Sequence, residues 1–167
     1  MKKNQIGVIL LLEFIVIMVV LCLNLCMSAG FEEWYRMLYA YFDIPSLLCI
    51  VIFTLPTLFA TGAAKDFGRA FLIGKKTYSI GQMKKSLEAV KLVQKLVMYS
   101  SLFTAGVSFI VVLYRLEDLS ALGPIIAIVC LSLVYASALE VLLLPLHLHV
   151  QNWLIEAMDI INEEEEG

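Results

Sequence analysis

The sequence predicts an all-α integral membrane protein with four transmembrane helices and a short cytoplasmic loop that is also helical. Hydrophobic residues make up 61% of the 167 residues and charged residues only 16%, whereas soluble domains are typically about 45–50% apolar and about 25% charged. Four apolar stretches approach the length of about 20 residues that a helix needs to span a bilayer. Lysine and arginine are concentrated on one side of these stretches, as in multi-pass membrane proteins. The chain is therefore predicted to form a single membrane domain over residues 1–167.

The four predicted spans cover about residues 6–27, 44–64, 96–114 and 124–149. The first span follows Lys2 and Lys3 and is longer than the about 7–15 apolar residues of a signal-peptide core. It is therefore predicted to stay in the chain, and cleavage near Ser28 is the alternative. The segment 28–43 is rich in Tyr, Phe and Trp, which predicts that it lies along the outer membrane surface.

Prolines are predicted to shape the helix ends. Pro45 and Pro124 lie where spans two and four are predicted to begin, and Gly123 immediately precedes Pro124. Proline is tolerated there because the first N–H groups of a helix have no partner within it. Pro56 is predicted to kink span two, and Pro145 to bend the end of span four.

The distribution of positive charge predicts the orientation. All but two of the 12 lysines and arginines lie at the N-terminus or in the loop 65–95, and the exceptions are Arg36 and Arg115. Because cytoplasmic loops are enriched in lysine and arginine, both termini, the loop and the acidic tail 150–167 are predicted to be cytoplasmic.

The loop 65–95 is predicted to contain two helical segments. Residues 66–73 are predicted to continue span two, and residues 74–78 to form a break. Ser79 and Gln82 have the spacing of a capping box, which marks a helix start. The helix that begins there is predicted to run straight into span three.

Polar side chains inside the spans are the candidate functional residues, because polar groups are costly within a bilayer. On span three, Ser101, Thr104 and Ser108 recur at steps of three and four and form one stripe. On span four, Ser132, Ala136 and Glu140 recur at steps of four and form a second stripe, with Ser137 alongside. Two interpretations stay open at this point: close helix packing through small and hydroxyl side chains, or a hydrated ion pathway lined by them.

Four ionisable groups in the spans are interpreted separately. Glu140 lies about nine residues, or about 13 Å, from the end of span four, too deep for its short side chain to reach the surface. A structural hydrogen bond and a role in ion relay remain open for it. Glu13 is predicted to be structural, with a loop lysine as its partner. His147 and His149 lie on different helix faces and are predicted to mark the inner interface.

Several functional classes are not supported by the sequence. It contains no Gly-rich phosphate loop, nucleophile elbow or HExxH motif, so we predict no enzyme activity and no cofactor. The four cysteines lie in apolar stretches and are predicted to pack rather than to bind metal. The net charge of −3 argues against nucleic-acid binding, which leaves lipid and other membrane proteins as predicted partners.

Three segments resemble the MotA/TolQ/ExbB proton-channel family, and within it most closely the MotA type. Residues 42–48 (FDIPSLL) are similar to the motif at the entry of the family's second span. Residues 116–124 (LEDLSALGP) resemble a short outer turn in which an acidic pair precedes a Gly-Pro. Residues 135–146 are similar to the end of the last MotA helix. The matched segments fall within residues 40–64 and 96–148.

The resemblance implies a homopentamer in a bacterial inner membrane. Spans three and four of five copies would line a central channel that holds the single span of a MotB/ExbD-type partner, whose aspartate takes up the proton. Thr104, Ser108 and Ser132 would face that partner. The implied function is conduction of protons or sodium ions, coupled to rotation of the ring around the partner, as in a flagellar stator.

The sequence also supports an alternative without conduction. MotA-like proteins carry a large cytoplasmic domain where this chain has only the loop 65–95, and Leu133 stands where the family has a second threonine. The alternative is a non-conducting membrane scaffold or interaction protein. A transporter or membrane enzyme is a third class, which needs several charged residues at the midplane, where only Glu140 comes near.

Overall fold

The computed structural model describes residues 6–29, 44–114, 116 and 119–166, and these residues are almost entirely helical. The helices are α1 (Ile6–Ala29), α2 (Ile44–Ala60), α3 (Ala64–Ala70), α4 (Ile80–Tyr114) and α5 (Leu119–Glu166). The predicted all-α class is therefore confirmed. Most of the predicted surface segment 28–43 lies outside the described residues.

Three of the helices can cross a membrane. α1, α4 and α5 are long and apolar enough to do so, and α2 and α3 together supply a fourth candidate if the bent pair counts as one span. Large apolar side chains such as Leu12, Phe59 and Ile110 are more than half exposed along these helices. Soluble proteins rarely expose such extensive apolar surface, so the chain is a membrane protein.

The prediction that residues 66–73 continue span two is wrong. α2 ends at Ala60, and α3 leaves it at an angle of 104°. The turn between them contains Gly62 with a φ of +70°, a conformation that glycine adopts readily. The chain bends where apolar sequence gives way to the charged residues of α3, and Pro56 lies inside α2 before the bend.

The predicted start of the helix after the loop is confirmed. The backbone N–H of Ser79 donates to Gln82 Oε1 at 3.2 Å, and the backbone N–H of Gln82 donates to Ser79 Oγ at 3.4 Å. This reciprocal pair satisfies N–H groups that the first turn leaves without partners. α4 then runs for 35 residues without a break, a length of about 52 Å.

The predicted start of span four is wrong. α5 begins at Leu119, so Gly123 and Pro124 lie inside the helix rather than at its start. It also continues through Pro145 to Glu166, so most of the predicted tail is a helical extension. Leu146 and Val150 are fully buried, and this packing holds the helix together after Pro145. Pro45 does lie in the first turn of α2, as predicted.

The antiparallel pair of α4 and α5 is the centre of the fold, since these two helices make the most extensive contact. α2 packs mainly against α4, and α1 packs against α5. One apolar core joins α2, α4 and α5 through residues such as Ile50, Val97 and Ala136. A second core joins the start of α1, the loop and the second half of α5 through residues such as Ile73 and Leu146.

A polar contact fastens the loop to α5. His149 Nε2 lies 3.0 Å from the backbone carbonyl oxygen of Ile73, and the His149 ring makes an edge contact with Trp153. Gly74 has a φ of +86°, and a Cβ placed on it would lie 3.1 Å from Trp153 Nε1. The loop is therefore held close against the second half of α5.

Candidate functional site

Polar side chains lie along the α4–α5 pair, and Ser101 and Ser132 are at its contact. The hydroxyl of Ser101 donates to the backbone carbonyl of Ser132 at 2.8 Å. The hydroxyl of Ser132 in turn donates to the carbonyl of Val129 in its own helix at 2.8 Å. Ser101 is 1% exposed and Ser132 is 0% exposed. In the described chain the Ser101 hydroxyl therefore links α4 to α5, whereas the buried Ser132 hydroxyl is bonded within α5.

Thr104 and Ser108 lie on the side of the pair that faces α2. They line a cavity of about 230 Å³ together with Pro45 and Phe53 of α2. The hydroxyl of Thr104 donates to the carbonyl of Ser100 at 2.8 Å, one turn earlier in α4. This arrangement brings the first family-like segment, which contains Pro45, next to two of the predicted pathway residues.

Ser137 lies on a different side of α5. It lines a mostly apolar cavity of about 410 Å³ between α1 and α5, with neighbours that include Val16 and Val20. Its hydroxyl donates to the carbonyl of Leu133 in the same helix at 2.8 Å. The six predicted pathway residues therefore do not share one surface within a single copy of the chain.

Glu140 belongs to a third polar region, where it is linked to His147 through a glutamine of α4. Gln94 Nε2 donates to Glu140 Oε2 at 3.1 Å, and Gln94 Oε1 lies 2.8 Å from His147 Nδ1. All three side chains are partly buried. One amide thus holds a carboxylate and an imidazole that lie two turns apart on α5.

This network opens into a groove of about 530 Å³. Its lining includes Lys91, Lys95 and Tyr99 of α4 beside Gln94, Glu140 and His147. Every residue that lines the groove among the described parts of the chain belongs to α4 or α5. The groove is therefore a face of the helix pair that α1 and α2 leave uncovered, with ionisable and amide groups set in a mostly apolar wall.

Gln94 is the functional candidate that the sequence analysis missed. Lys91, Gln94, Lys95 and Met98 recur at intervals of three and four residues, which places them on one face of a helix. That spacing could have identified a polar face on α4. The pairing of this face with Glu140 could not be identified, because it depends on the antiparallel register of two helices.

The predicted lysine partner of Glu13 is not found. Glu13 Oε2 is buried and has no hydrogen-bond partner among the described residues. Across residues 6–29, 44–114 and 119–166, the one ion pair joins Arg69 to Asp66 at 2.6 Å. The same residues contain no group of three or more His, Cys, Asp or Glu side chains that could hold a metal ion.

Fold and site together define a helical membrane protein with a groove on its two longest helices that contains ionisable side chains. Comparison of the chain with family models, with curated proteins and with solved structures finds no match in any of the three. Its function is therefore inferred from its own residues and their geometry.

Proposed function

We propose that the chain is a ring subunit of a proton-driven membrane complex of the MotA/TolQ/ExbB type, which conducts at its interface with a single-span partner. The observation that carries this proposal is the uncovered groove of α4 and α5. Glu140 of the predicted fourth span and His147 at its predicted inner end lie there, linked by Gln94. Polar groups in or next to a bilayer normally face protein or water rather than lipid. A ring of copies around a partner helix supplies both protein and water contacts for these groups.

The sequence motifs and the helix packing are consistent with this proposal. The segments that resemble the family lie on α2 and α5, and Pro45 of the first segment shares a cavity with Thr104 and Ser108. In a pentamer, α4 and α5 of each copy line the centre, and the lysines of the loop face the cytoplasm of a bacterial cell. The partner contributes the membrane aspartate that this chain lacks.

A second candidate is a non-conducting scaffold of the same architecture. The observation that favours it is the burial of Ser101 and Ser132, whose hydroxyls donate to backbone carbonyls of the same chain. On this account the hydroxyl residues serve close helix packing alone. The scaffold assembles with other membrane proteins but passes no ions.

Two measurements on the complex isolated through a tag on this chain separate the candidates. Native mass spectrometry gives the number of copies and the mass of any partner, and we expect five copies with a single-span protein. The same complex in lipid vesicles should take up protons under an imposed electrical gradient, detected with a trapped pH-sensitive dye. A monomer or dimer without a partner would remove the ring, and an intact ring that takes up no protons would favour the scaffold.

A further inference from the structure

We propose that the groove around Glu140 is the cytoplasmic outlet of the proton pathway, in which Glu140 accepts the proton and His147 releases it. This inference rests on the proposed function, because the proton comes from a carboxyl group of the single-span partner. It adds an ordered pair of proton-carrying groups and a positioning residue, Gln94. It also places the outlet on the uncovered side of the α4–α5 pair.

The hydrogen bonds of Gln94 give the network a direction. Its NH₂ group donates to Glu140 Oε2, so its Oε1 is the carbonyl oxygen and can only accept. His147 must therefore donate through Nδ1–H, which leaves its Nε2 as the proton-accepting atom. The carboxylate of Glu140 and Nε2 of His147 are thus two proton acceptors that one amide holds in place.

The groove is wide enough for water to connect these two acceptors. Glu140 and His147 are seven residues apart, about 10 Å along the helix. That separation is too long for direct transfer. A volume of about 530 Å³ holds more than ten waters at about 30 Å³ each. A chain of waters in the groove can carry the proton from the carboxyl group to the imidazole.

The position of His147 suits release into the cytoplasm. It follows Leu146, which is buried in the core that also contains Ile73 of the loop. Lys91 and Lys95 line the same groove and are exposed. Their positive charge repels an imidazolium, so a proton that reaches His147 passes on to water rather than remaining on the ring.

The groups in the groove favour a proton over a sodium ion as the transported species. A hard cation needs several oxygen ligands, but the groove offers one carboxylate, the Tyr99 hydroxyl and an amide oxygen that already accepts from His147. The two lysines also repel a metal cation. The titratable or charged groups that face the groove are Lys91, Lys95, Tyr99, Glu140 and His147.

The proposed sequence of transfers is balanced. The protonated carboxyl group of the partner loses its O–H proton to the carboxylate of Glu140, which leaves the partner ionised and Glu140 neutral. Glu140 then passes the proton through water to Nε2 of His147, which forms an imidazolium. The imidazolium loses that proton to cytoplasmic water, and both groups return to their starting states.

The test measures proton uptake by the isolated complex in vesicles for wild type, Glu140→Gln and His147→Gln. We expect Glu140→Gln to reduce uptake to the level of empty vesicles and His147→Gln to slow it, with the number of copies unchanged in native mass spectrometry. Glu156→Gln is the matched control, because Glu156 is exposed on the part of α5 beyond the groove. It should conduct as wild type does.

The outcomes distinguish this inference from the function on which it rests. Proton uptake by Glu140→Gln at the wild-type rate would overturn the proposed outlet and leave the ring proposal standing. A wild-type complex that does not conduct would overturn both. Conduction that depends on anionic lipid and on Lys91 and Lys95, but not on Glu140, would also overturn the outlet and identify the groove as a lipid-headgroup site.

A second measurement does not need the partner. A hydrophobic carbodiimide reacts with protonated carboxyl groups, so it should modify Glu140 when the full chain is reconstituted alone and the pH is lowered until Glu140 takes up a proton from water. Peptide mass spectrometry locates the modified residue. Labelling of other carboxyl groups without any at Glu140 would show that this carboxylate does not take up a proton, and would overturn the inference.

Discussion

Ser101 of α4 donates its hydroxyl hydrogen to the backbone carbonyl of Ser132 in α5 at 2.8 Å, and both side chains are buried. Replacing Ser101 with alanine removes this bond while adding no volume to the contact. Interhelical hydrogen bonds in membrane proteins contribute about 0.6 kcal/mol on average and up to about 1.7 kcal/mol. We therefore expect Ser101→Ala to lower the free energy of unfolding in detergent by an amount in this range.

The matched control for this prediction is Ser137→Ala. Ser137 is exposed, and its hydroxyl donates only within its own helix at 2.8 Å. Its replacement should change the unfolding free energy by less than Ser101→Ala does. Equal effects from the two variants would show that the bond between α4 and α5 contributes nothing particular to stability.

The double variant Thr104→Ala with Ser132→Ala tests whether the hydroxyls line an ion pathway. The hydroxyls of Thr104 and Ser132 each donate to a carbonyl of their own helix, at 2.8 Å in both cases. Their removal should therefore leave the helices packed. If the pathway passes these groups, proton uptake by the reconstituted complex falls while the number of copies is unchanged.

Ser100→Ala controls for the loss of a buried hydroxyl from α4. Ser100 is buried and donates to the carbonyl of Val97 at 3.0 Å, but it is not among the predicted pathway residues. Uptake should be unchanged in this variant. A double variant that conducts as well as Ser100→Ala does would remove Thr104 and Ser132 from the pathway.

Local sequence signals were sufficient where the structure depends on local contacts. The capping box of Ser79 and Gln82 forms as its spacing predicts, because both partners lie in one turn. Pro45 lies in the first turn of α2 for the same reason. The apolar runs also identified α1, α4 and α5, the three helices that are long and apolar enough to cross a membrane, since hydrophobic length is a property of the sequence itself.

Tertiary contacts decided the features that the sequence did not predict. α5 continues past Pro145 into the predicted tail, where the buried side chains of Leu146 and Val150 pack against the loop. The sharp turn after Ala60 depends on packing of α3 against α4 as well as on Gly62. The hydrogen bond from Gln94 to Glu140 joins residues 46 positions apart in the sequence. No local sequence pattern indicates a contact between residues so far apart.

Gly74 should not tolerate a side chain. Its φ of +86° is unfavourable for other residues, and a Cβ there would lie 3.1–3.3 Å from three atoms of the Trp153 indole. A residue forced into such a conformation costs about 1–3 kcal/mol. We expect Gly74→Ala to loosen the loop from α5, measured as a red shift of Trp153 emission in a Trp34→Phe background. Thermal unfolding should begin at a lower temperature.

Gly81→Ala provides the control in the same region. Gly81 lies in the first turn of α4, and nothing lies within 4 Å of a Cβ placed on it. Alanine is a better helix former than glycine, so this variant should be as stable as wild type or more so, with unchanged emission. If Gly74→Ala behaved in the same way, the close contact with Trp153 would not hold the loop.

His149 should hold the loop against α5 through a single hydrogen bond from its Nε2. The carbonyl of Ile73 can only accept, so Nε2 of His149 carries the hydrogen of their 3.0 Å contact. His149→Phe keeps a ring beside Trp153 but leaves this buried carbonyl without that donor, a loss of about 1–3 kcal/mol. Amide hydrogen exchange should therefore quicken in residues 71–79 and stay slow in the middle of α4.

The control is Tyr78→Phe, which keeps its ring under Arg69 and should leave exchange in the same loop unchanged. Equally slow exchange in His149→Phe would show that apolar packing of Ile73, rather than the hydrogen bond, holds the loop on α5.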